Sequence, residues 1–205
     1  HTDAGTTMND SIIGTLSIYY SENGGNYANG TPRYASRMLT DSIATAIVND
    51  IRASYEPRWT RRAMWDKTYY EARVPQVPAL LLELLSHQNF ADMKYGLDPA
   101  FRFTVSRAVY KGMLKYLSNR YGQDYVVQPL PVANVAVEFD TGKRISVSWK
   151  PVNDPLEPTA RPEGYIVYKR IGDGGWDKGT VVPYIGVDSG GYLRYYTDIP
   201  AGEVV

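Results

Sequence analysis

At 205 residues, with 43% hydrophobic and 21% charged side chains, the chain has the composition of an ordinary folded protein of one or two domains. Its 22 Lys and Arg balance 22 Asp and Glu, so no net charge draws it to nucleic acid or to an acidic membrane surface. The chain has no Cys, which excludes disulfides and thiolate metal sites, and no run reaches the ~20 apolar residues of a membrane span. Tyr is abundant, 18 against 4 Phe, and its flat apolar face with a polar tip suits wet surfaces, sugar-facing grooves and β-modules. The chain opens on His1 without an initiator Met and without a signal peptide, and it reads as a processed or trimmed piece.

Residues 12–20 form a β-branched and aromatic run closed by Ser21-Glu22-Asn23-Gly24-Gly25-Asn26, which predicts a strand and then a loop. From Pro32 the period changes. Leu39, Ile43, Ile47 and Ile51 recur every four residues, with Ala35 and Ala46 filling in, and predict an amphipathic helix ending near Ser54. Arg58-Trp59-Thr60-Arg61-Arg62 reads as a basic, aromatic connector. In a neutral protein it suits a loop that caps a helix or reaches an anionic glycan better than a nucleic-acid surface. Residues 78–85 are apolar except for Glu83, as expected of a central strand covered on both faces. Asp98 and Pro99 then form an N-cap and first helical position, and the stripe Phe101, Val105, Ala108, Val109, Met113, Tyr116 and Leu117 runs to a stop near Gly122.

Beyond Gln128-Pro129-Leu130-Pro131 the pattern is all strand and turn. Strands are predicted over 132–139, 144–149, 164–171 and 192–199, with turns at 140–143 and 172–175 and a Pro-rich loop at Pro151, Pro155, Pro158 and Pro162. The chain thus divides into an α/β unit over 1–124, a linker over 125–131 and a β-sandwich unit over 132–205. Alternation points Trp149 and Tyr168 into the sandwich core.

Glu83 is the strongest chemical candidate. An ionised carboxylate inside an apolar run costs several kcal/mol unless it is paired, metal-bound or protonated. Desolvation would raise its pKa toward the range of a general acid/base; the alternative is a strand-end Glu that reaches solvent or pairs with an Arg. His1, ahead of the small-residue stretch Thr2-Asp3-Ala4-Gly5, is a candidate metal ligand or a plain terminal residue. His87 is the other His of the chain. It extends the site or sits on the surface.

The order of these pieces over 1–121 resembles the C-terminal half of the zinc-dependent N-acetylmuramoyl-L-alanine amidases, which trim peptidoglycan. His1-Thr2-Asp3-Ala4 is similar to the end of that family's strand motif whose His binds zinc. Pro78-Ala79-Leu80-Leu81-Leu82-Glu83 resembles its Pro-Ala-Val-Leu-Val-Glu motif, and Asn89 and Asp92 fall in register with the Asn and Asp that follow. Leu85-Ser86-His87 replaces the family's Gly-Phe-Leu, so the wall beside the site differs. The resemblance implies a partial three-layer α/β domain, with a central sheet flanked by helices. It implies zinc held by His1 and by a His and a Glu upstream of it, Glu83 as the catalytic acid/base, and Asn89 and Arg62 as substrate contacts. This chain alone is then expected to be inactive, the chemistry belonging to a longer parent.

Ile145-Ser146-Val147-Ser148-Trp149, Gly164-Tyr165-Ile166-Val167-Tyr168 and Tyr195-Tyr196-Thr197-Asp198-Ile199-Pro200 resemble strands of a fibronectin type III module, here incomplete. Together the two resemblances imply an exported protein of the periplasm or cell surface, acting on peptidoglycan or another envelope glycan. The overall arrangement is similar to large amidase-like proteins of Bacteroidetes, some labelled xanthan lyases. The alternatives are a non-catalytic wall or glycan binder on the same scaffold, or the accessory region of a polysaccharide lyase.

Overall fold

The computed structural model describes Thr2, Asp3, Gly5 and residues 7–199, Thr2 and Asp3 by their backbone alone. By internal contacts the chain divides into two units, His1–Tyr125 and Val126–Val205. The first runs β1 (Thr2–Asp3), β2 (Thr15–Tyr19), a 3-10 turn at Glu22–Gly24, α1 (Tyr34–Ser54), β3 (Arg61–Asp66), α2 (Tyr70–Arg73), β4 (Leu81–Glu83), β5 (Leu85–Ser86), α3 (Phe90–Leu97) and α4 (Pro99–Tyr121).

β2 is the centre of this unit. It pairs in parallel with β3 on one side and antiparallel with β4 on the other, and all five of its residues are buried. Leu16 and Ile18 face one way, packed with Leu81 and Ala63. The alternate residues face the opposite way. There the Trp59 indole donates to Thr15 Oγ1 at 3.0 Å and belongs to the larger core with Leu39, Ile43, Ile47, Ile51, Phe101 and Val105. The strand is shorter than the predicted 12–20. At Gly14 φ is +79°, and a Cβ there would lie 2.1 Å from the Thr60 carbonyl oxygen, so the chain turns before pairing begins.

The two long helices follow the sequence closely. α1 buries its four-residue stripe and ends at Ser54. α4 opens on Asp98, whose carboxylate accepts from the Ala100 amide at 2.8 Å, places Pro99 in its first turn, and closes on Gly122 in the left-handed region. Its stripe is narrower than predicted, because Met113 and Leu117 are exposed while Phe101, Val105, Ala108 and Tyr116 are buried.

α1 and α4 approach to backbone contact. A Cβ on Gly112 would lie 2.6 Å from the Ile43 Cα, so only Gly lets the helices this close. Ser42 Oγ donates to the Gly112 carbonyl at 2.8 Å, and the neighbouring Lys111 ammonium meets Asp50 at 2.8 Å with both side chains almost wholly buried. Taking that pair out of water is costly, and the close contact of the two charges offsets part of that cost.

Two further segments depart from expectation. The 58–62 segment is not a connector throughout. Trp59 is core, and Arg61 opens β3, where it donates to Thr45 Oγ1 at 2.9 Å and pairs with Asp41. The 78–85 run is not one strand, since β4 and β5 join different partners: β4 pairs with β2 and β5 pairs in parallel with β1.

The second unit holds β6 (Ala133–Phe139), β7 (Arg144–Lys150), β8 (Gly164–Val167), β9 (Thr180–Pro183) and β10 (Leu193–Asp198). They form two antiparallel sheets, β10-β7-β6 and β8-β9. Trp149 of β7 meets Tyr165 of β8 edge to face, with ring centroids 5.1 Å apart, so the two sheets share a core contact. Tyr168 does not join it. β8 ends at Val167, and Tyr168 is 52% exposed beside Gly179.

Gly112→Ala tests the helix contact. Ala is the better helix former by about 1 kcal/mol, yet overpacking against Ile43 is expected to lower stability by about 1–3 kcal/mol net, read from denaturant midpoints. A stability gain would show that the helices are not in backbone contact.

Candidate functional site

The break between β4 and β5 produces the local geometry. Leu81 faces the Leu16 and Ile18 side of β2, Leu82 faces the larger core, and Glu83 returns to the Leu16 side, registered directly opposite Leu16. Glu83 is half-buried, the last residue of its strand, with apolar residues on either side in sequence. One residue later the Leu84 carbonyl lies 3.5 Å from the hydroxyl of Thr15, and the chain passes to β5. There Leu85 pairs with Thr2 and Ser86 with Asp3. The backbone of β1 therefore runs beside the residues that immediately follow Glu83. His1 lies outside the described residues.

Asn89 and Asp92 are buried and occupied. Asn89 Oδ1 accepts from the Asp92 amide at 3.1 Å and so caps α3, and its Nδ2 donates to the Asp10 carbonyl at 3.2 Å. Asp92 Oδ2 accepts from the Ser86 amide at 3.1 Å. Burial raises the Asp92 carboxyl above its ordinary value, while the backbone amides of Ser86 and Gly14 and the positive charge of Arg62 pull it back. Arg62 stands half-buried on β3, so its contribution here is electrostatic. His87 is exposed on the turn after β5.

Sequence reasoning did not find the rest of this assembly. Gln88 Nε2 donates to the Thr7 carbonyl at 2.9 Å, and the Asn9 amide donates to the Gln88 carbonyl at 2.8 Å. Ser86, fully buried, accepts the Gln88 amide on its hydroxyl at 3.2 Å. The available signal was Gly14 directly after two Ile residues, which marks where an apolar run must turn. Among the described residues no three His, Cys, Asp or Glu side chains converge as a metal site would require.

No protein-family model matches the chain, and no curated protein does. Solved structures do. The N-acetylmuramoyl-L-alanine amidase AmiC2 of Nostoc punctiforme is similar at a TM-score of 0.46 and 17% identity, over 58% of this chain and 55% of that one. The CwlD amidase from Clostridioides difficile, solved with the GerS lipoprotein, gives 0.44 and 18%, over 58% and 52%. The catalytic domain of the amidase CwlV from Bacillus (Paenibacillus) polymyxa var. colistinus gives 0.45 and 19%, over 58% and 55%. The chain spans about half the length of each of these.

Asp92 gives a pH test. A carboxyl whose folded pKa is raised holds its proton more tightly in the native state, so its contribution to stability is greatest at low pH. That contribution is lost as pH rises from the ordinary 3.8 through the raised value. Asp92→Asn should remove this slope, and the stability difference between wild type and variant should shift against wild type across that window. Parallel pH profiles would contradict the assignment.

Proposed function

We propose that the α/β unit is part of an N-acetylmuramoyl-L-alanine amidase, an exported peptidoglycan hydrolase of the cell envelope, and that the β unit is a fibronectin type III-like accessory module. The observation that carries this reading is the setting of Glu83. It is a half-buried carboxylate closing a strand whose first residue, Leu81, is buried, nine residues before a buried Asp92 in the spacing of the family's motif.

Zinc is the cofactor this reading proposes, with His1 as the ligand from this chain. The described residues do not make a zinc centre by themselves, so the steps here run through Glu83. Its carboxylate takes a proton from water as the oxygen adds to the lactyl amide carbonyl. The same proton then passes to the L-Ala nitrogen as the C–N bond breaks. One carboxylate thus serves as base and then acid, and the water is divided between the two products. Arg62 is proposed to meet the anionic part of the substrate.

A second reading, glycan binding without hydrolysis, is favoured by the exposed Tyr34, Tyr69 and Tyr70, at 49%, 45% and 68% exposure, whose rings offer flat faces to sugars. The two readings part on one substitution. Glu83→Gln in the full-length protein keeps shape and removes the proton carrier, so stem-peptide release from muropeptides should fall by about 10²-fold or more while thermal stability holds. Unchanged turnover would remove Glu83 from this role, and a protein that retains muropeptides without cleaving them would favour the binder.

A further inference from the structure

The residues after β1 and the turn after β5 are far apart in sequence, yet they are laced together. Three side chains or backbone groups of the 86–92 turn each hold a different point of the 7–14 loop. Gln88 Nε2 reaches the Thr7 carbonyl at 2.9 Å, the Gln88 carbonyl receives the Asn9 amide at 2.8 Å, and Asn89 Nδ2 reaches the Asp10 carbonyl at 3.2 Å. At the far end of the loop the Gly14 N–H favours the charged form of the buried Asp92 carboxylate. The fit is tight at the other end as well: a Cβ on Gly5 would come within 2.2 Å of the Gln88 amide nitrogen.

The loop so held is the one that leaves β1, and β1 pairs with β5 at Thr2–Leu85 and Asp3–Ser86, directly after Glu83. β1 also runs close to β4 itself. The backbone bonds of a two-residue strand pair are too few to hold a register alone. We infer that Gln88 and Asn89 are positioning residues: through the 7–14 loop they hold β1 in register on β5, and so set what stands beside Glu83. Asn89 then acts through its cap and its bond to Asp10, with no contact to substrate. The catalytic consequence rests on the amidase reading, whereas the structural consequence does not.

Two substitutions in the full-length protein test it. Asn89→Ser keeps an N-cap oxygen for α3 and loses the reach to Asp10. Gln88→Ala leaves α3 untouched and loses the bond to Thr7. Both should unfold as cooperatively as wild type, and amide hydrogen exchange at Asn9 and Gly14 should quicken by roughly fivefold or more in each. On muropeptides kcat should fall on the order of 10- to 100-fold with KM nearly constant, as for misplaced rather than missing contacts. If Asn89→Ser does not fold, Gln88→Ala decides alone. Unchanged exchange in the folded variants would overturn the proposal. So would a raised KM with kcat intact, which is the mark of a substrate contact. Turnover that survives Glu83→Gln sinks the amidase reading alone, and the exchange rates still judge the positioning role.

Discussion

A buried carboxylate at the start of α3 that receives the backbone amide of Ser86 is the constraint on which the Glu83 end of the α/β unit depends. Asp92 sits at 3% exposure, where an ionised group is poorly solvated, and the Ser86 N–H replaces part of the water it has lost. Because that bond is to main chain, it fixes a backbone position and not merely a side chain. Ser86 is the last residue of β5, so the carboxylate sets the end of that strand relative to α3. The chain must then leave β4 for β5 at Leu84, which leaves Glu83 as the closing residue of a strand that is buried at its other end.

How far this could be read from the sequence depends on which signals were local. The ends of α4 were legible because Asp98, Pro99 and Gly122 each act on their own turn, and the stripe of α1 was legible because one face of one helix carries it. β3 was not, since Arg61-Arg62-Ala63-Met64-Trp65-Asp66 shows no alternation; it is a strand because β2 pairs with it and not through its own pattern. The short α2 and α3 carry no stripe long enough to see. The switch at Leu84 was hidden for a different reason. An unbroken apolar run is equally consistent with one strand or with two strands joining different partners, and only pairing distinguishes them.

The candidate site divides in the same way. Glu83 was visible as the one acid in an apolar run, and the structure places it half-buried at a strand end. Asn89 and Asp92 were visible through a motif spacing, while their hydrogen bonds to Asp10 and Ser86 depend on contacts that no local pattern encodes. In the β unit, Trp149 met the expected core and Tyr168 did not, because β8 stops at Val167 and alternation carries no information past the end of a strand.

The role proposed for Glu83 is to deliver water across the lactyl amide bond. Digesting a defined muropeptide with the full-length protein in 18O-labelled water tests this most directly, with both products read by mass spectrometry. The account predicts one 18O atom in the new lactyl carboxylate and a stem peptide with a free L-Ala amino terminus. An unsaturated sugar end, or label in any bond other than that amide, would contradict it.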